Sequence, residues 1–155
     1  MILITESLEN FCTPILVLNK WDLLNEEDKL NINSNLKTQL KKFSWLNVIR
    51  ISALTTKGLN KFSKTLNEVN SQLNNRIDTS DLNLYFRELW VAKPPHPFRG
   101  KRAKLKYVTQ YDISPPSFSF NLSSRIPKNY YSFIENNLRE EFGFKNVSLR
   151  IKYKN

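Results

Sequence analysis

Apolar residues follow two different rules on either side of Asp78. Before it, short continuous apolar runs alternate with helical stripes. Ile15-Leu16-Val17-Leu18 follows Pro14 and ends at Asn19-Lys20, the pattern of a strand buried on both faces of a parallel sheet. Ile32, Leu36, Leu40 and Phe43 then recur at helical spacing, and residues 48–51 make a second short strand. Leu59, Phe62, Leu66, Val69 and Leu73 mark a second amphipathic helix. Strand, helix, strand, helix with short connections predicts a parallel α/β sheet, too small to be a complete doubly wound domain.

After Asp78 the pattern changes. Thr79-Ser80-Asp81 supplies capping side chains for a helix whose stripe is Leu82, Tyr85, Phe86, Leu89 and Trp90, stopped by Pro94-Pro95-His96-Pro97. Period-2 alternation predicts strands over 103–111, 117–122 and 147–153. Pro127 opens a second helix carrying Tyr131, Ile134, Leu138 and Phe142, with Gly143 placed to end it. The order α-β-β-α-β predicts an α+β sandwich with both helices on one sheet face. Alternation assigns Leu105, Tyr107, Phe118, Phe120, Leu122, Val147, Leu149, Ile151 and Tyr153 to the helix side. It leaves Lys104, Lys106, Ser117, Ser119, Asn121, Ser148, Arg150 and Lys152 on an open face that is polar, basic and poor in aromatic rings. Such a face argues against base stacking and for phosphate or shape contacts.

Composition sharpens this division. Of 155 residues, 40% are hydrophobic and 12% aromatic, enough for real cores and against wholesale disorder. The net charge is +10, but residues 1–78 carry only +2 of it and residues 79–155 carry +8. The second half is therefore the part expected to meet phosphates. One cysteine, Cys12, excludes a disulfide framework, and its place just before a strand predicts packing. One histidine, His96, lies between prolines and reads as a loop residue, against a His-based metal centre or triad. The absence of a long apolar run and of a basic, apolar leader predicts a soluble, reduced, intracellular protein without a membrane partner.

The sharpest chemical signal is Asn19-Lys20-Trp21-Asp22, at the end of the first strand, where α/β folds place ligands. An N-K-x-D loop suits guanine. The Asp22 carboxylate can accept from the N1–H and the exocyclic amine together, a donor pair that adenine lacks. The Lys20 stem can lie on the base plane, and the Asn19 amide can bridge the base edge and neighbouring loops. Alternatively, the segment is a turn stocked with Asn and Asp for conformational reasons. Ser52-Ala53-Leu54 follows the second strand, with Lys57-Gly58-Leu59 opening the next helix. There the Ala53 N–H can approach a base oxygen and the Ser52 hydroxyl can brace Asp22.

Together these segments resemble the fourth and fifth guanine-recognition motifs of translation-factor-type GTPases. Further on, Thr79-Ser80-Asp81-Leu82-Asn83, Pro94-Pro95, the stretch 100–107, Pro115-Pro116 and Asn137-Leu138-Arg139-Glu140-Glu141-Phe142 resemble the carboxyl-terminal domain of the EngA/Der family. That family has two tandem GTPase domains followed by a KH-like domain and acts in large ribosomal subunit assembly. The resemblance implies that residues 1–78 are the end of a GTPase domain with a partial P-loop-type parallel sheet, and residues 79–155 a KH-like domain. It implies guanine binding by Asn19, Lys20, Trp21, Asp22, Ser52, Ala53 and Leu54, and GTP or GDP with magnesium in a complete domain. The implied partners are the large ribosomal subunit with its rRNA, and GTPase segments upstream or in trans. The implied setting is the cytoplasm or an organelle of bacterial descent.

Two departures qualify the resemblance. Neither G-x-x-x-x-G-K-[ST] nor a D-x-x-G element occurs; the three glycines are Gly58, Gly100 and Gly143. The chain alone is therefore expected to bind nucleotide weakly and not to hydrolyse GTP. Met1 would fall inside a helix of the complete domain, so a fragment, a split protein and a truncated product all fit. A KH G-x-x-G loop is also absent. RNA contact then rests on the basic run Arg99, Lys101, Arg102, Lys104 and Lys106, with Arg150 and Lys152 from the last strand. A solvated strand edge kept basic to block edge pairing remains the alternative for that run. For the whole chain the alternatives are a non-enzymatic RNA- or ribosome-binding module and an inactive remnant.

Overall fold

A computed structural model describes residues 2–155 and divides the chain into two compact units, 1–71 and 72–155. Met1 lies outside the described residues. The first unit runs α1 (Ile2–Glu9), β1 (Ile15–Leu18), α2 (Glu26–Gln39), β2 (Asn47–Arg50) and most of α3 (Leu59–Leu73). β1 and β2 pair in parallel, in the register Ile15 with Asn47 through Leu18 with Arg50. Asn25 caps α2 by accepting the Asp28 N–H at 2.8 Å, with Glu26, Glu27 and Asp28 in its first turn where the helix dipole favours them.

The first unit is only partly buried. β1, expected to be covered on both faces, is half-buried along its whole length, because among the described residues its strand partner lies on one side only. Ile49 is the most deeply buried apolar residue of the unit. On α3, Thr65 and Val69 are buried while Leu66, placed in the apolar stripe by its spacing, is exposed. Cys12 is exposed rather than packed.

The second unit contains α4 (Thr79–Ala92), β3 (Leu105–Ile113), β4 (Pro116–Leu122), α5 (Lys128–Glu141) and β5 (Arg150–Lys154). The sheet order is β3-β4-β5, with β3 and β4 antiparallel and β4 and β5 parallel, the latter joined through α5. This is the predicted α-β-β-α-β arrangement. Both helices pack on one face: Phe86 of α4 meets Phe120 edge-on at 4.9 Å, and Tyr131 of α5 lies 4.3 Å from Tyr153. Leu82, Phe86, Val108, Phe118, Phe120, Ile134, Leu138 and Phe144 are fully buried between these layers. Asp78 is the N-cap residue of α4, so Thr79, Ser80 and Asp81 form its first turn rather than its cap.

Buried polar groups tie down what the apolar core leaves open. The Asn83 amide pairs with both backbone groups of Val108, at 2.8 and 2.9 Å, and so stands in for a strand beyond the β3 edge. Gln110 does the same for residues 75–77, donating to the Asn75 carbonyl and accepting the Ile77 N–H. Gln72 accepts the Asn146 N–H at 3.0 Å and Asn75 donates to the Phe142 carbonyl at 2.9 Å. Residues 72–77 are thus bonded into the second unit, and the division falls ahead of Asp78. Arg139 is buried on α5, where it pairs with Glu135 at 2.7 Å and donates to the carbonyls of Phe144 and Val147. Burial pulls its pKa down, against the opposing effect of Glu135.

Strand faces differ from the expected alternation. Register shifts lie between Leu105 and Tyr107 and between Gln110 and Asp112, the signature of β-bulges. The first bulge reverses the facing of β3. Val108 and Gln110 point to the helices, while Tyr107, expected there, is exposed together with Tyr111. β5 begins at Arg150 rather than residue 147; Val147 and Ser148 are buried in the segment ahead of it. Ser117 and Ser119 are buried although their strand positions are on the side away from the helices, as small side chains among larger neighbours.

Candidate functional site: paired loops and a basic face

Parallel pairing in register brings the carboxyl ends of β1 and β2 to the same level, with Leu18 beside Arg50. The ladder continues one step into the loops: Ile51 N–H donates to the Leu18 carbonyl at 2.9 Å, and Trp21 N–H to the Ile51 carbonyl at 3.0 Å. Asn19 closes the arrangement. Its Oδ1 accepts the Ala53 N–H across the gap at 3.1 Å and the Lys20 N–H at 2.7 Å. Asn19 thus links its own loop to the one that follows β2.

Strained backbone shapes both loops. Lys20 has φ 59 and Thr56 φ 60, left-handed values that non-glycine residues seldom adopt. Lys20 leads directly into a short 3₁₀ turn, Trp21–Leu23, which carries Asp22 exposed at the surface. Arg50 lies over the Trp21 ring at 5.3 Å and also bonds to the Asn33 side chain, so the loop is held from beneath. Gly58 sits at φ +82, and a Cβ there would meet the Arg50 carbonyl at 2.3 Å, so this turn admits glycine only.

Two details of the expected pocket differ. Ser52 Oγ accepts the Thr55 N–H at 3.1 Å, bracing its own turn rather than Asp22. The Ala53 N–H, expected to aim at a base oxygen, donates to Asn19 because the two loops touch directly. Leu54 is almost wholly exposed.

The basic residues divide between two places in the second unit. Arg99 and Gly100, at φ 51 and φ 75, form a tight turn closed by paired backbone bonds between Phe98 and Lys101. This turn brings Arg99 and Lys101 to a cavity of about 320 Å³ shared with Arg125, a residue outside the basic run. Arg125 stands 24 residues from Lys101, and only the turn after β4 brings them together. Arg102, Lys104 and Lys106 are exposed along the run but do not line this cavity. Lys152 and Arg150 lie on β5, opposite Ser119 and Ser117. Among the described residues, no helix is long and apolar enough to cross a membrane.

Comparison with known proteins follows the same division. A family model described as KH-domain-like of EngA bacterial GTPase enzymes, C-terminal, matches residues 76–154. The chain is 34% identical over 143 residues to a protein named GTPase Der from Chlorobium limicola, covering 90% of this chain and 33% of that protein. It is 32% identical over 157 residues to GTPase Der of Streptomyces coelicolor, covering 98% of this chain and 34% of that protein. The chain therefore spans about a third of the length of these curated relatives.

Proposed function

Because the chain belongs to the EngA/Der family of GTPases, we propose that its two parts divide two tasks of such a protein. Residues 1–71 carry the base-recognition part of a guanine-nucleotide site. Residues 79–155 dock on ribosomal RNA during assembly of the large ribosomal subunit. The observation that carries the first task is the Asn19–Ala53 bridge, which ties the two loops into one site. Asp22, exposed on its 3₁₀ turn, accepts from the N1–H and exocyclic amine of guanine, and the Lys20 stem covers the base. GTP or GDP with magnesium is the ligand of the complete protein. The phosphate loop and magnesium ligands come from segments upstream or in trans, so these 155 residues alone do not hydrolyse GTP.

The test is amide chemical-shift mapping with guanosine, adenosine and xanthosine monophosphates at millimolar concentration. GMP is expected to shift the amides of residues 19–22 and 52–54, and AMP is not. Asp22→Asn should exchange the response to GMP for one to XMP, since the amide now complements a carbonyl in place of the amine. Equal responses to GMP and AMP would refute guanine selection.

A second reading, a non-enzymatic RNA-binding module, is favoured by the cavity that Arg99, Lys101 and Arg125 share. It predicts RNA affinity that falls steeply with salt and is lost on charge reversal of Lys101, Arg102, Lys104 and Lys106. Salt-independent binding would exclude it. Loss of RNA affinity in that variant with the GMP response retained would show the two tasks to be separable.

A further inference from the structure

The face of the sheet turned away from the helices carries a feature that alternation in the sequence conceals. Past the first bulge of β3, Tyr107, Thr109 and Tyr111 share that face, and both tyrosines are exposed, at 49% and 41%. The other tyrosines of the second unit are half-buried. Along an extended strand, positions four apart are separated by about 13 Å, so the two rings stand apart rather than stacking on each other.

The neighbouring strands complete the surface. Tyr107 pairs across β4 with Asn121, which pairs with Lys154 of β5. Thr109 pairs likewise with Ser119, and Ser119 with Lys152. Together they line a shallow cavity of about 190 Å³. In its floor, Ser119 is 5% exposed and its Oγ has no hydrogen-bond partner. A buried hydroxyl left unpaired carries a cost that a ligand bearing a donor or acceptor would remove. Lys152 Nζ lies 5.1 Å from the centre of the Tyr111 ring, so the face of that ring already attracts a cation.

Separated aromatic faces, lysines along one side and polar groups between them suit one class of ligand. We propose that this face binds single-stranded RNA, with two unpaired bases stacked on Tyr107 and Tyr111. Lys152 and Lys154 contact the intervening phosphates, and Ser119 and Asn121 meet base edges. A duplex cannot use the rings, because its bases are already stacked and paired. An acidic protein surface would use the lysines and leave the rings idle. This inference rests on RNA docking by residues 79–155 and adds to it a contact that reads bases rather than phosphates alone.

The test uses the 155-residue chain and fluorescence anisotropy with a short single-stranded oligoadenylate and an abasic ribose-phosphate strand of equal length. Tyr107→Ala and Tyr111→Ala should each weaken oligoadenylate binding by roughly five- to a hundredfold, and the abasic strand should bind more weakly than the RNA. Tyr107→Phe and Tyr111→Phe should keep near-normal affinity, and all four variants should melt as the parent does. Unchanged binding in the Ala variants, with loss on charge reversal of Lys101, Arg102, Lys104 and Lys106, would overturn the stacking site and leave RNA docking standing. No binding to either strand would overturn both. Equal affinity for a duplex would also refute the proposal. So would displacement of the RNA by polyglutamate of equal charge, which would assign the face to an acidic protein partner.

Discussion

The two units are stabilised in different ways. In the second, aromatic and aliphatic side chains from α4, α5, β3 and β4 are fully buried, with Phe86 edge-on to both Tyr85 and Phe120 and the half-buried Ile151 and Tyr153 added from β5. In the first, a two-stranded parallel sheet leaves β1 half-buried, and among the described residues Ile49 alone of its apolar side chains is buried to 1% exposure. What shapes the first unit's loops is local: the Asn19 bridge, left-handed Lys20, and a glycine that nothing larger can replace. A packed core tolerates change at its surface and punishes change inside, whereas loops held by single backbone devices are sensitive at those devices.

Substitution in each unit sharpens the contrast. Phe86→Ala should produce the largest effect, removing about 3–5 kcal/mol from the second unit and unfolding it at moderate temperature. Amide spectra should show the loss among second-unit signals, with those of β1 and β2 retained. Collapse of both sets together would mean that the units are not independent. Gly58→Ala should cost about 2–4 kcal/mol, from left-handed strain and the clash with the Arg50 carbonyl, and should disturb residues 50–58 while the second unit melts normally. An unperturbed Ser52–Ala53 loop in that variant would refute the local-device account.

The smallest effect is a pH dependence confined to the second unit. Burial pushes the Tyr130 hydroxyl up to about 12, and it donates to the Lys93 carbonyl at 2.6 Å. A phenol whose folded pKa lies above its unfolded value of 10 contributes its full stability below pH 10. That contribution is lost as pH rises through about 12, because the unfolded chain releases the proton first. Burial raises the pKa of Tyr153 in the same direction. Thermal melts between pH 8 and 12 should therefore show a decline in second-unit stability that is shallower in Tyr130→Phe. Identical slopes in the parent and the variant would remove Tyr130 from the account.

Much of this organisation is legible in the linear pattern. Stripes at Leu82, Phe86 and Trp90, and at Ile134 and Leu138, locate the buried faces of α4 and α5 because helical spacing is a local property. The guanine-type loops are legible as well, since strand ends and turn residues are adjacent in sequence. Arg125 is not, because its partners in the cavity arrive from another turn. The buried pairing of Arg139 with the carbonyls of Phe144 and Val147 is likewise invisible, as it depends on how the chain folds back after α5.

The facing of a strand marks the limit. Alternation is counted from residue to residue, and it assumes an unbroken ladder. In β3 one extra residue, Lys106, lies opposite the single step from Leu122 to Asn121, so the side chains between the two bulges change side: Tyr107 moves to solvent, while Val108 and Gln110 turn to the helices. Local spacing and turn chemistry thus determined the order of elements, the helix faces and the loops at the ends of β1 and β2. Tertiary pairing decided which side chains of β3, Tyr107 among them, face away from the helices, because a bulge is set by the hydrogen bonds of two strands together and leaves little trace in the hydrophobicity of either.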